Sequence, residues 1–206
     1  VGTAAHSVPI PTAKHRVVRT IPVGHEALDL AISPSGRRLY VANDHDSSIS
    51  VVSTRRAKVI STYQGFAWAS AVAVSPDGSR LYVSDQGPSG DGESDSTLSV
   101  VAAETGAIIA ALPGYWPRVQ PSPDGTRLYA AAFDRLRVFD TTSWAVVAEL
   151  PGGWGNATLS PDGSRLYAHS EWYGSADLKV LDAATLAVVA TYPLPGRSSG
   201  FVLDPT

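Results

Sequence analysis

Ala71–Asp85 reads AVAVSPDGSRLYVSD: a short apolar run, a four-residue break and a second apolar run. In the break Pro76 presets φ, Asp77 can bond nearby backbone, and Gly78 accepts a positive φ, which is the chemistry of a tight hairpin turn. The flanking runs, Ala69–Val74 and Arg80–Ser84, read as antiparallel strands. The unit Ser75-Pro76-Asp77-Gly78 has three counterparts: Ser33-Pro34-Ser35-Gly36, Ser122-Pro123-Asp124-Gly125 and Ser160-Pro161-Asp162-Gly163. Two residues beyond each glycine stands Arg-Leu-Tyr, at Arg38-Leu39-Tyr40, Arg80-Leu81-Tyr82, Arg127-Leu128-Tyr129 and Arg165-Leu166-Tyr167. The turn serines are spaced by 42, 47 and 38 residues.

Two further apolar runs complete each unit. The third strand is Ile49–Val52, Leu98–Val101, Leu136–Phe139 or Leu178–Leu181. The fourth is Val59–Tyr63, Ile108–Leu112, Val146–Leu150 or Val188–Tyr192, closed by glycine or proline. We label the strands of a unit a, b, c and d from the axis outward. No segment sustains a 3.6-residue apolar period, so almost no helix is expected. A four-stranded unit recurring at roughly 40 residues cannot bury both faces alone, and stacking such units about an axis makes propeller blades. The expected fold is an all-β propeller of four complete blades, covering residues 25–65, 66–114, 115–152 and 153–196, within one domain at 15–206.

The segments AVAVSPDGSRLYVSD and LAISPSGRRLYVAND, with endings such as VISTYQG and VVAELPG, resemble the YVTN family of β-propeller repeats. The likeness runs over residues 17–204. It implies a four-stranded blade per repeat, rings of about seven blades, a frequent exported or cell-surface location, and many members that bind without known catalysis. Here the number of blades departs from that pattern.

Two remnants bear on ring closure. Arg16–Gly24 (RVVRTIPVG) matches strand d, and Val8 and Ile10 in the segment 1–14 have the spacing of a degraded strand c. Gly200–Pro205 (GFVLDP), within the closing stretch 197–206, matches strand a. A fifth blade shared between the two ends would remove exposed sheet edges. A piece of a larger ring, or an arc completed by strands of a second chain, are the other readings.

Composition narrows the function classes. The net charge of −3 gives no electrostatic basis for general nucleic-acid or anionic-membrane binding. No apolar run is long enough to enter a bilayer as a helix. Without cysteine there is no disulfide framework and no thiolate metal site. The lack of methionine marks a processed or excised segment, and residues 1–14 read as a linker or mature N-terminus, not a signal peptide.

In such a ring the d–a and b–c loops gather on one face. The d–a loops carry His25 and Glu26, Phe66 and Trp68, Tyr115, Trp116 and Arg118, then Trp154 and Arg197. The b–c loops add Asn43, Asp44, His45 and Asp46, then Phe133, Asp134 and Arg135, then His169, Glu171, Trp172 and Tyr173. Trp144 belongs to the opposite face. Tryptophans at blade junctions either plug gaps or wall a binding surface; the doubled aromatics of blades two and three favour the surface. Asp29, Ala71, Arg118, Asn156 and Gly200 share one position on strand a, where repeats of the resembled family usually have a small residue. Asp29, Arg118 and Asn156 are therefore expected to meet at the axial mouth, as a self-satisfied pair or as a clamp for an anionic or hydroxylated ligand.

The expected function is a non-catalytic module holding a small molecule or peptide, as a monomer or a strand-completing dimer. The alternative is a hydrolase or lyase of lactones, sugars or a secondary metabolite, with Glu26, Asp29 or His169 as general base and Arg118 stabilising negative charge. No cofactor is expected. In the insertion Asp85–Ser96, the residues Asp91, Glu93 and Asp95 begin like a calcium loop, but Ser96 and Ala102 stand where glycine and a bidentate glutamate are required. His25-Glu26-Ala27-Leu28-Asp29 is half a zinc-protease motif on a strand-like segment, and His25, His45 and His169 fall on one face as single histidines. Asn156-Ala157-Thr158, a formal sequon, opens an inner strand.

Overall fold

The computed structural model describes residues 16–88, 95–132, 134–154, 156–169 and 177–194. They form sixteen strands and no helix. The first blade comprises β1 (Ala27–Ile32), β2 (Arg38–Asn43), β3 (Ser48–Ser53) and β4 (Lys58–Gln64). The second comprises β5 (Ala69–Val74), β6 (Arg80–Asp85), β7 (Thr97–Ala102) and β8 (Ile108–Pro113). The third is β9 (Arg118–Pro121), β10 (Arg127–Ala131), β11 (Arg135–Asp140) and β12 (Val146–Pro151), and the fourth is β13 (Asn156–Leu159), β14 (Arg165–His169), β15 (Asp177–Asp182) and β16 (Val188–Pro193). Each blade is an antiparallel meander in chain order, so every expected strand lies where the hairpin chemistry put it. Inner strand β1 packs beside β5, β5 beside β9 and β9 beside β13, which sets the blades side by side as a propeller.

The recurring turn is held by its own polar atoms. Ser75 Oγ donates to Asp77 Oδ1 (2.5 Å) and accepts from Arg80 N (2.9 Å), while Ser79 N and Ser79 Oγ donate to the same carboxylate at 3.0 and 2.7 Å. These bonds hold the Asp77 carboxyl down at about 2. Gly78 takes φ 74°, as the turn demands. The first blade has Ser35 in place of the aspartate, and its hydroxyl makes only long contacts, 3.2 Å to Ser33 Oγ and 3.5 Å from Arg37 N. Ser35→Asp is expected to raise stability by about 0.5–1 kcal/mol, read as an upward shift of the urea midpoint at pH 7. A shift that survives at pH 2 would show that the carboxylate is not the cause.

Arg-Leu-Tyr recurs because it joins blades. Arg38 Nη1 donates to Ala103 O of the next blade (3.2 Å), and Arg80 Nη1 to Thr141 O of the one after (2.8 Å). Tyr129 donates its hydroxyl to Ala183 O at 2.8 Å. The leucines Leu81, Leu128 and Leu166 are fully buried between sheets. In the fourth blade, Arg165 turns to Asp182 of its own sheet at 3.1 Å. The first blade has the converse gap: Leu28, Leu30 and Ile32 are 56, 63 and 59% exposed, whereas Val72 and Leu159, facing the same way in later blades, are 5 and 4% exposed.

Arg16–Gly24, expected as an outer strand, makes no strand pairing among the described residues, and Val17 and Val18 face solvent. An outer strand pairs only when an inner one lies beside it. The segments proposed for that role, Val8 and Ile10 and Gly200–Pro205, lie outside the described residues. Ring closure is not seen among the described residues.

Candidate functional site

The b–c loop of the first blade follows from the register of its hairpin. Pairing of Ala27 with Asn43 sets Glu26 against Asp44, whose N–H donates to Glu26 O at 2.9 Å. Glu26 has φ 50° and its counterpart in the second blade, Trp68, has φ 60°; each precedes a bulge at the start of strand a. The repeated left-handed residue therefore presents Glu26 on one blade and Trp68 on the next at the loop face. Beneath the loop Asn43 is fully buried and its Nδ2 donates to Ser48 Oγ (3.1 Å) and Ser50 Oγ (2.9 Å). A side chain at Gly24 would lie 2.7 Å from both Asn43 Cγ and Asp46 Oδ2, so glycine lets the incoming chain approach.

Five polar side chains gather here. His25 Nδ1 and its backbone N–H both donate to Asp46, at 2.8 and 2.9 Å. These bonds raise the imidazole above its ordinary value and lower the carboxyl. His45 Nε2 lies 3.4 Å from Glu26 Oε2, and the His45 ring meets Trp68 edge-on at 5.1 Å. Asp44 is only 6% exposed, and its Oδ1 has no hydrogen-bond partner. Burial pushes its carboxyl up; His45 opposes the shift and the charge of Glu26 adds to it. Raised and lowered carboxylates side by side are the arrangement expected of a working site. In an NMR pH titration, His25 is expected to titrate above 6.5 and to fall back in Asp46→Asn; an unchanged midpoint would dissolve the pair.

The remaining expected site residues are scattered by comparison. Trp116 and Trp154 are 2 and 3% exposed and lie inside the blade interfaces, so they act as plugs and not as a ligand wall. Trp116 packs edge-on to Phe139 at 5.8 Å, and Trp154 Nε1 donates to Leu150 O. Trp68 keeps 38% exposure. Trp144 sits at the turn end against Tyr82, as expected.

Asp29 does not meet Arg118. Its Oδ2 accepts from Val72 N of the second blade and its Oδ1 from Leu30 N, both at 2.9 Å. Gln120 Oε1 does the same between later blades, accepting from Leu159 N at 2.9 Å. These acceptors tie neighbouring inner strands together, and no ion pair joins Asp29 to Arg118 among the described residues. Arg118 faces solvent. Asn156 pairs with His169 in the β13–β14 ladder, and His169 is buried. Trp172, Tyr173, Asp91 and Glu93 lie outside the described residues.

Sequence reasoning placed Asp44, His45 and Asp46 on the loop face but not in the site. The signal was available: counting back along the hairpin from Ser33 and Arg38 sets Asn43–Asp46 beside Gly24–Glu26.

A family model described as "Lactonase, 7-bladed beta-propeller" matches residues 30–139, from the first blade into the third. No curated protein matches. Among solved structures, Kuenenia stuttgartiensis hydrazine synthase superposes with a TM-score of 0.72 at 23% identity, over 90% of this chain and 53% of that one. That likeness is one of fold, and this chain spans about half the length of its counterpart.

Proposed function

This chain belongs to the seven-bladed β-propeller lactonase family, and we propose that it acts as a non-catalytic binding module whose site is the loop end of the first blade. The carrying observation is the grouping of Glu26, Asp44, His45 and the His25–Asp46 pair beside Trp68, around a buried carboxylate whose Oδ1 has no hydrogen-bond partner among the described residues. Its three carboxylates, Glu26, Asp44 and Asp46, make this an acidic group, so it suits a small molecule or peptide that brings positive charge or hydrogen-bond donors, with Trp68 as its apolar contact. A groove lined by Pro22, Gly24, Asp46, Ser48 and Ser50 continues from it. By resemblance to the YVTN repeat, such a module works outside the cytoplasm.

The family match favours one second reading, hydrolysis of a lactone. There His45 or Glu26 would take a proton from water, but among the described residues no arginine or lysine pairs with the group to stabilise the developing oxyanion. One paired experiment separates the two: a thermal-shift panel of amines, polyols and short basic peptides, and proton release from a panel of aldonolactones. The expected result is stabilisation by members of the first panel, lost in Glu26→Gln and His45→Ala, with lactone hydrolysis at the spontaneous rate. Hydrolysis well above that rate and abolished by His45→Ala would replace the binding reading with the enzymatic one.

A further inference from the structure

We propose that Glu26, Asp44 and His45 form a binding site for a first-row divalent metal ion, with Zn²⁺ preferred over Mn²⁺. The inference deepens the binding reading above and rests on it for the site's role.

One donor atom from each of the three residues lies within 4.8 Å of the other two. Two donors bound at ~2.0–2.1 Å to a tetrahedral zinc stand about 3.4 Å apart. His45 Nε2 and Glu26 Oε2 already have that separation, 3.4 Å. Asp44 is next to His45 on the same turn, and its donor atom lies within 4.8 Å of both others. Independent of the grouping is the state of Asp44 itself. A carboxylate 6% exposed, with Oδ1 buried and unpartnered among the described residues, carries a desolvation cost at that atom. An ion with two positive charges supplies what this group lacks.

The donor set chooses the ion. One imidazole with two carboxylates suits zinc or manganese, whereas calcium and magnesium prefer all-oxygen shells with more ligands. For one chelate-forming N/O site, zinc binds more tightly than manganese. Three protein ligands leave a position open beside Trp68, where a donor atom of a small ligand can complete the shell. Second contacts are present: the backbone N–H of Asp44 is fixed to Glu26 O, and the His45 ring is braced by Trp68.

The test is calorimetric titration of ZnCl₂, MnCl₂ and CaCl₂ into the EDTA-treated full chain. One Zn²⁺ per chain is expected, tighter than Mn²⁺, with no comparable calcium heat. Asp44→Asn and His45→Ala, which remove direct ligands, should weaken zinc by more than the roughly 10–100-fold cost of losing an outer contact, while Lys58→Ala, exposed on β4, leaves it unchanged. Because Asp44 Oδ1 has no hydrogen-bond partner among the described residues, the metal-free Asp44→Asn variant should melt no lower than the parent; if it does not fold, Glu26→Gln carries the same test at an exposed position. No zinc heat, or zinc binding indifferent to Asp44→Asn and His45→Ala, overturns the site. If zinc fails while amines or basic peptides still stabilise the protein in EDTA, only the metal inference falls and the binding reading stands.

Discussion

Trp116→Ala is expected to lower stability by about 3–5 kcal/mol while leaving any ligand affinity of the folded protein unchanged. The indole is 2% exposed and packs in one core with Leu98, Leu112, Leu128 and Phe139, between the second and third blades. Arg137 lies over its face at 5.5 Å and Ser84 Oγ accepts from its backbone N–H at 3.2 Å. Neighbours on two different sheets cannot collapse into the space without shifting a whole blade, so the cost falls at the upper end for such truncations. For a domain of this size that is on the order of 10 °C in melting temperature. Calorimetry or urea unfolding reads it. A loss below about 1 kcal/mol together with lost binding would return Trp116 to the ligand surface.

The second large effect is tied to pH. Asp85 closes strand β6, is 5% exposed, and accepts backbone bonds from Gly87 and Thr97. Burial outweighs those bonds and pushes its carboxyl from 3.8 to about 6. The folded state therefore holds this proton more tightly than the unfolded chain. The resulting stabilisation is full below the unfolded value of 3.8 and is lost as pH rises through about 6. The span amounts to about 3 kcal/mol. Stability is expected to fall as pH rises from 3.8 to about 6. Asp85→Asn should flatten that part of the profile and exceed the parent at neutral pH. The turn aspartates Asp77 and Asp162, both held at about 2, act in the other direction and only in stronger acid. Parallel pH profiles for parent and variant would refute the assignment.

The strands were legible in the sequence because the turn chemistry is local. Ser-Pro-Asp-Gly closes on itself through the serine hydroxyl and the aspartate, so each strand boundary is written within a few residues. The Arg-Leu-Tyr repeat was equally visible, although its role in bonding the next blade appears only when the sheets are set side by side. The tryptophans misled for a physical reason. A large ring in a loop has the same sequence appearance whether it faces solvent or turns back into the junction, and blade spacing decides. Asp29 misled in the same way: its charge is used up by an N–H of the adjacent blade, a partner 43 positions away. The pairing of Glu26 with Asp44 and His45 was encoded in the hairpin register, yet it gained weight only from the burial of Asp44.

The location of the binding surface is tested most directly by ¹H–¹⁵N NMR of the labelled chain during titration with an amine or basic peptide that stabilises it. Amide shifts should concentrate at Gly24–Ala27, Asn43–Ser48 and Ala67–Ala69, and should disappear in Asp44→Asn. Shifts centred instead on Arg118, Gln120 and Asn156, with the first-blade loop unmoved, would contradict the account and return the site to the axial mouth.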